Sequence, residues 1–322
     1  PSGNTYIRSF EQVIKGTNGA IQVLTDTQAT DLLQDKGRIT GVTAKHFGQQ
    51  VILNAKDGVV IATGGFGANH KMVEKYRPEL KGFSTTNHPG AQGEGLELAA
   101  KLGAGFTDIE QIQIHPTVVK KDGHLISESM RSRGGILLNH DGNRFCNELL
   151  TRDVVSQHVL AQKGGEAFLV YDQSIFDSNK LSRGYYEQGY SIKGDTLEDL
   201  AKKLDMPVEN VKKTFEAYWE AHKTGVDKAF GRPEMVIALD KGPWYAAKIT
   251  PGIHHTMGGV TIDPETHVLT KDGKVIQGLF AAGEVTGGVH GGNRIGGNAV
   301  TDIVTFGRIA GTNAAAYAKT VK

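Results

Sequence analysis

A single cysteine, Cys146, in 322 residues leaves the chain without an internal disulfide and without a thiolate metal cage of its own. The compartment stays open on that ground, because secreted proteins also do without disulfides. An excess of charge of one sign is missing too: 36 basic and 35 acidic residues give a formal net charge of +1. No global field then favours nucleic acid or a membrane surface, and no nucleic-acid partner is expected. No apolar run approaches the roughly 20 residues that span a bilayer. The polar start Pro1-Ser-Gly-Asn-Thr-Tyr6 lacks a basic region followed by an apolar stretch, so no signal peptide is read there. The histidines show no H-x-x-x-H spacing, which argues against zinc. Proline is sparse at 9, whereas glycine is plentiful at 42. An average usage would give only about 23. The glycines cluster in particular loops, which points to backbone approaching a ligand rather than to disorder.

With 39% hydrophobic residues the chain can bury a large core, and its length fits one or two domains. Residues 4–16 read as a short amphipathic helix, with Ile7, Phe10, Val13 and Ile14 on one face and Gly16 as its stop. Strands are expected at 21–24, 28–33, 39–46, 50–53 and 58–62. The last of these is apolar enough for a buried parallel strand; it runs into Gly64-Gly-Phe-Gly67, and a helix follows from Asn69. Residues 93–103 read as a helix packed by small side chains. Asp195-Thr-Leu-Glu198 has capping-box spacing ahead of Leu200 and Leu204, and 208–222 is a longer amphipathic helix behind Pro207. The strand 278–282 and a last helix at 298–319 return to the earlier style. The order is α/β, a β-rich middle and α/β again. That predicts an α/β nucleotide-binding fold interrupted by an inserted α+β domain, divided at 1–109, 110–253 and 254–322. A dinucleotide fold normally opens with a strand, a G-x-G-x-x-G turn and an acidic residue about 20 positions on. No such opening is present, and the glycines of 287–292 have other spacings.

Four segments carry the chemistry: Gln113-Ile-His-Pro-Thr117, Asn147-Glu-Leu-Leu-Thr-Arg-Asp153, Pro251-Gly-Ile-His-His-Thr-Met-Gly-Gly259, and the long run from Ala282 to Val300 that contains Gly-Gly-Asn-Arg294-Ile-Gly-Gly-Asn298. Each sets a His or Arg among residues that leave backbone accessible. Together they lack a carboxylate pair and a Ser/His/Asp order. Imidazole donors beside guanidinium forks suit a dianionic substrate.

On these motifs the chain resembles the flavoproteins of fumarate reductase and succinate dehydrogenase, in particular the flavocytochrome-c-type fumarate reductases, and the resemblance covers nearly the whole chain. It implies an FAD domain interrupted by a mobile clamp (capping) domain, with substrate held between them against the flavin. The dinucleotide fingerprint would then lie upstream of Pro1. Residue by residue, the resemblance implies that His254 and Arg294 hold one substrate carboxylate. His115 and Ser127 would hold the other, with Gly297 also at the substrate. Arg152 would donate the proton, and Glu128 and Arg131 would relay a proton back to it. Taken alone, Arg152 reads as an anion clamp, since the pKa of a guanidinium exceeds about 12; the donor role comes from the resemblance. The positions implied for FAD are Ala29, Thr63, Gly64, Gly65, Glu94, His255, Glu284, Ala299 and Val300. Oxygens of Thr256, Met257, Gly258, Glu284 and Thr286 are implied for a structural monovalent cation. His124 and His290 read as structural or surface residues, and Cys146 as a packed one.

The implied activity is reduction of fumarate to succinate in anaerobic electron transport, with hydride from the flavin and a proton from arginine. Two alternatives stand beside it: reduction of another 2-enoate such as urocanate or a cinnamate, and a truncated, non-catalytic fragment that binds a dicarboxylate. Two carboxylate-holding pairs favour the dicarboxylate, because a monocarboxylate leaves one pair unsatisfied. The chain has no haem-attachment motif and no iron–sulfur cysteines. Electrons are therefore expected from a separate domain or protein, linked to haem, FMN or NADH. A soluble bacterial protein is expected, either periplasmic or cytoplasmic.

Overall fold

The structure, a computed structural model, describes residues 3–320. The first stretch comprises α1 (Gly3–Gly16), β1 (Thr27–Asp35), β2 (Arg38–His46), β3 (Gln49–Asn54), β4 (Val59–Ile61), α2 (His70–Tyr76), α3 (Glu94–Lys101) and β5 (Phe106–Thr107). The middle follows with β6 (Ile112–Val118), α4 (Ser129–Ser132), β7 (Ile136–Leu138), α5 (Arg152–Leu160), β8 (Ala167–Asp172), α6 (Gln173–Ser178), α7 (Lys180–Glu187), β9 (Ser191–Gly194), α8 (Leu197–Lys203), α9 (Val208–Thr224) and β10 (Trp244–Thr256). The chain ends with β11 (Gly259–Val260), β12 (His267–Leu269), β13 (Val275–Ala281) and α10 (Asn298–Ala318).

Two apolar cores organise these elements. One is built from Leu32 to Ile112 and again from Ile253 to Val285, so the two ends of the chain share it. The other, from Ile126 to Ile249, belongs to the middle alone. Its largest helix, α9, buries Val211, Phe215, Tyr218 and Ala221, a stripe at helical spacing, and stops at Gly225 in the left-handed region (φ 71°). Truncating Phe215, wholly buried, would cost about 3–5 kcal/mol. The cap of α8 lies one residue later than the capping-box reading put it. Thr196 accepts from the amide of Asp199 at 3.1 Å, while the Asp199 carboxylate accepts from the amide of Asp195.

In the shared body β1, β2 and β3 form an antiparallel meander. The parallel part is β13 between β2 and β4, with Leu279 opposite Val59 and Ala281 opposite Ile61. The ends of β4 and β13 therefore point the same way, and the glycine turns after them fall side by side. Expectation and structure differ at three places. Residues 21–24 form no strand. The apolar face of α1 is exposed, with none of its residues buried. Strand β4 is parallel, but Val60 is 38% exposed and, among the described residues, β4 pairs only with β13. Alternation and apolarity report which face seeks a core, not whether a neighbour covers it. No helix among the described residues is long and apolar enough to cross a membrane.

Strand β10 joins the two bodies. Its first half pairs with β8 and β9 in the middle core; its second half pairs with β6. Ile253 faces Ile114 and His255 faces Gln113, so His254 is the extra residue of a bulge. A bulge re-aims one side chain, and here that side chain belongs to a candidate site residue.

Candidate active site

A cleft of about 850 Å³ opens between the middle domain and the loop before α10. His115, Ser127, Glu128, Arg131, Arg152, Arg294 and Gly297 all line it. They arrive from four places in the chain: β6, the turn at α4, the start of α5 and the loop before α10. His115 lies on β6, where the period-2 alternation also puts Gln113 and Thr117 on its face. Glu128 and Arg131 flank one turn at α4. Arg152 is the first residue of α5, where the positive end of the helix dipole disfavours a cation.

That cost is offset by Glu128. Arg152 donates to it twice, Nη2 to Oε2 at 2.8 Å and Nε to Oε1 at 3.2 Å, a bidentate pair. Arg131 Nη2 reaches the same Oε1 at 3.2 Å. On the other side, Arg152 Nη1 donates to Gln113 Oε1 at 2.8 Å, and Arg294 Nη2 donates to that oxygen at 3.2 Å. One unbroken line thus runs Arg131, Glu128, Arg152, Gln113, Arg294. Burial pushes the Glu128 carboxyl up, yet the Arg152 hydrogen bond and the two guanidinium charges overcome this and leave it below its usual range. Burial lowers Arg131 and Arg294, and in each case the charge of Arg152 works in the same direction. Arg294 is 7% exposed, and its Nε is buried without a partner among the described residues. A cluster of three guanidiniums with one carboxylate is short of negative charge, which a dianion would supply.

The loop must pass close over this pair. A Cβ on Gly296 would stand 2.5 Å from Glu128 Oε2 and 3.0 Å from Arg152 Nη2, so any larger residue would have to displace that ion pair.

His254 stands beside His115, with ring centroids 5.1 Å apart. Burial, followed by the charges of Arg152 and Arg294, takes His254 down to about 3. Burial takes His115 well below its ordinary value, helped by His254 and the arginines. Both rings are therefore neutral at ordinary pH, and each has one N–H to offer. The amide of Thr117 donates to His115 Nδ1 at 3.3 Å, so the proton of that ring must sit on Nε2. Ser127 Oγ meets Ser129 Oγ at 2.9 Å, and the Ser127 amide donates to Tyr185 Oη.

A second set of residues forms a track along the shared body. Gln28, next to Ala29 on β1, donates to Glu94 at 2.6 Å. The Thr63 hydroxyl lies against Gly95. A Cβ on Gly65 would collide with Thr256 Oγ1 at 2.0 Å and Glu284 Oε1 at 2.7 Å. Glu284 accepts from the amide and hydroxyl of Thr256 and meets His255 Nδ1 at 3.2 Å. Burial raises the Glu284 carboxyl, but the His255 and Thr256 bonds outweigh that and bring it below its usual range. His255 Nε2 is buried without a partner among the described residues, and its ring lies 5.4 Å from His290. His290 is no isolated surface residue, since its Nε2 bonds Asp302 of α10 at 3.1 Å. Beyond it, Gly297 (φ 91°), Asn298 and Val300 leave the N-terminus of α10 exposed. The track therefore offers bare glycine backbone, an unpartnered imidazole nitrogen and a positive helix end, a donor set that fits a flavin with its negative edge at the helix. Among the cation candidates, Thr256 and Glu284 touch. Gly259, next to Gly258, abuts Val285, and Thr286 bonds back to Gly283.

Gln113 and Asn293 lie inside motifs legible in the sequence but carry no role there, and Thr86 lies outside all of them. Gln113 donates to Asn293 Oδ1 and to the carbonyl of Arg294 at 2.6 and 2.7 Å. Strand alternation with His115 is a signal that could have found it. Cys146 is buried, and burial pushes its thiol up to about 12.

Two bodies with a polar, guanidinium-rich cleft between them and a glycine track beside it define a nucleotide-cofactor protein with an inserted clamp. Residues 2–300 match the family model described as FAD binding domain, and the chain belongs to that family. It is 45% identical over 304 residues to an NADH:fumarate oxidoreductase of Klebsiella pneumoniae, covering 94% of this chain and 33% of the relative. It is 48% identical over 277 residues to a probable fumarate reductase of Shewanella frigidimarina, covering 86% of this chain and 47% of that protein. The open conformation of a flavocytochrome c3 fumarate reductase superposes with a TM-score of 0.79 at 43% identity, over 97% of this chain and 55% of that one. The chain thus spans a third of the first of these two curated relatives and about half of the second.

Proposed function

We propose that this chain reduces fumarate to succinate with FAD held along the track of Ala29, Thr63, Gly64, Gly65, Glu94, His255, Glu284, Ala299 and Val300. The observation that carries the reading is the cleft itself: Arg152 is ion-paired to Glu128 and linked through Gln113 to Arg294, beside two neutral imidazoles. When bound, reduced FAD supplies a hydride to one alkene carbon. Arg294 and His254 hold one carboxylate, and His115 and Ser127 hold the other. Their hydrogen bonds strengthen as negative charge builds between the ends of the substrate. Arg152 places an N–H at the second carbon and gives up a proton there. Glu128, its side chain 38% exposed, returns a proton from the solvent side, with Arg131 keeping the carboxylate oriented. Fumarate dianion, hydride and proton balance to succinate dianion. The electrons come from a separate donor domain or protein.

Turnover driven by reduced viologen tests this. Fumarate is expected to be reduced; activity on urocanate or acrylate with none on fumarate would overturn the assignment. The exposed α10 and the open edge of β4 favour a second reading, in which this stretch binds a dicarboxylate without turning it over. A flavin absorption band in the purified chain decides against that reading, and its absence supports it.

A further inference from the structure

We propose that Thr86 sets the tautomer of His254, keeping the ring proton on Nε2 so that the imidazole donates to a substrate carboxylate. The inference rests on the dicarboxylate reading of the cleft.

The loop at 84–87 is built around the bulge in β10. The amide of Ile253 donates to the Ser84 carbonyl at 2.8 Å, and the Thr86 amide donates to the Ile253 carbonyl at 2.9 Å. Asn87 Nδ2 caps the His254 carbonyl at 3.1 Å, a group the bulge takes out of the ladder. Three contacts thus fix the position of Thr86, and its hydroxyl lies 2.7 Å from His254 Nδ1. Among the described residues the other acceptor near that hydroxyl is the Ile253 carbonyl at 3.3 Å, which already takes the Thr86 amide.

A neutral imidazole carries one proton, and the partner at one nitrogen decides what the other offers. With the Thr86 proton directed at Nδ1, Nε2 is a donor. With it directed at Ile253, Nε2 presents a lone pair to a carboxylate, which repels it. Only the first arrangement lets His254 donate to a bound dianion, and the short contact to Thr86 is what holds it there. The two neighbouring histidines frame this choice. At His115 the backbone amide of Thr117 holds Nδ1 as an acceptor. At His255 the Glu284 carboxylate faces Nδ1 at 3.2 Å, which demands a proton there. Adjacent residues 254 and 255 thus carry opposite tautomers, set by a hydroxyl in one case and a carboxylate in the other. Thr86 is a positioning residue, since it acts through His254.

The test labels the histidines of the full chain with ¹⁵N and reads two-bond ¹H–¹⁵N correlations, with and without succinate. His254→Gln assigns the resonance. The Nε2–H pattern is expected for His254 in the unsubstituted chain with succinate bound. Thr86→Val should move the ring toward Nδ1–H and weaken succinate binding about tenfold, the loss of one charge-assisted hydrogen bond. KM for fumarate should rise more than kcat falls, and Thr86→Ser should restore both tautomer and affinity. An Nδ1–H pattern in the succinate complex overturns the proposal. So does a Thr86→Val protein with unchanged tautomer and unchanged affinity. If Thr86→Val does not fold, the unsubstituted chain and Thr86→Ser still decide through the tautomer alone. A chain that holds His254 as Nε2–H yet fails to reduce fumarate would contradict the assigned activity and leave this inference standing.

Discussion

Glu128 stands between two guanidinium groups, with Oε2 2.8 Å from Arg152 Nη2 and Oε1 3.2 Å from Arg131 Nη2. The two neighbours differ in access: Arg131 is 2% exposed on its side chain, whereas Glu128 is 38% exposed. The carboxylate is therefore more solvent-facing than Arg131, which supports its proposed role as the point at which protons enter.

Glu128→Gln keeps the shape and removes the acceptor charge. Turnover of fumarate should fall about 10²–10⁴-fold, the usual worth of a positioned proton-transfer group, with succinate affinity little changed. Steady-state kinetics beside calorimetric titration of succinate would check it. Equal losses in both would make Glu128 a binding residue instead.

Gly296→Ala places a methyl group 2.5 Å from Glu128 Oε2 and 3.0 Å from Arg152 Nη2. The glycine is exposed, so the expected outcome is lost turnover without lost folding. Thermal melting within a degree or two of the parent, roughly ±0.5 kcal/mol, together with a large drop in kcat would bear this out. Unchanged kcat would mean that the loop moves aside at no cost.

Glu148 is fully buried and is held by Arg144 at 2.8 and 2.9 Å and by Arg232 at 3.0 Å. Burial works against the charge of Arg144, yet Glu148 and Asp227 hold its pKa above the ordinary range. Glu148→Gln leaves buried Arg232 without its carboxylate and Arg144 with Asp227 alone, and should destabilise the chain by about 3–5 kcal/mol. Urea denaturation measures this.

Much of this site was legible in the sequence, because its arginines and histidines sit in contiguous motifs. Glu128 and Arg131 are three apart, on one turn, and the Gly-rich run around Arg294 announces close backbone approach. What was not legible depends on pairing between distant segments. His115 and His254 become neighbours only because β6 pairs with β10, and the bulge that frees His254 is a register shift with no local signature. Thr86, 168 positions from His254, lies in a stretch that reads as an ordinary loop. The exposed face of α1 shows the converse: its period was plain, but period alone cannot say what packs against it.

The depressed pKa of His254 gives a pH dependence of stability. A base whose folded pKa lies below its unfolded value binds fewer protons when folded. Its contribution is then fully present above the unfolded pKa and is lost as pH falls from about 6.5 toward the folded value of about 3. By pH 5 the loss from His254 amounts to about 2 kcal/mol, and His115, also lowered, adds in the same direction. Unfolding free energies from urea titrations at pH 7 and pH 5 should differ by that amount or more, and His254→Gln should shrink the difference. An unchanged difference would place the acid sensitivity elsewhere.

The most direct test of the whole account is Arg152→Ala in the FAD-loaded chain, with fumarate turnover and succinate binding measured on the same preparation. The account predicts turnover lower by about 10⁴-fold, with succinate still bound by Arg294 and the histidines. Turnover within about tenfold of the parent would contradict it, because the proton would then come from another group.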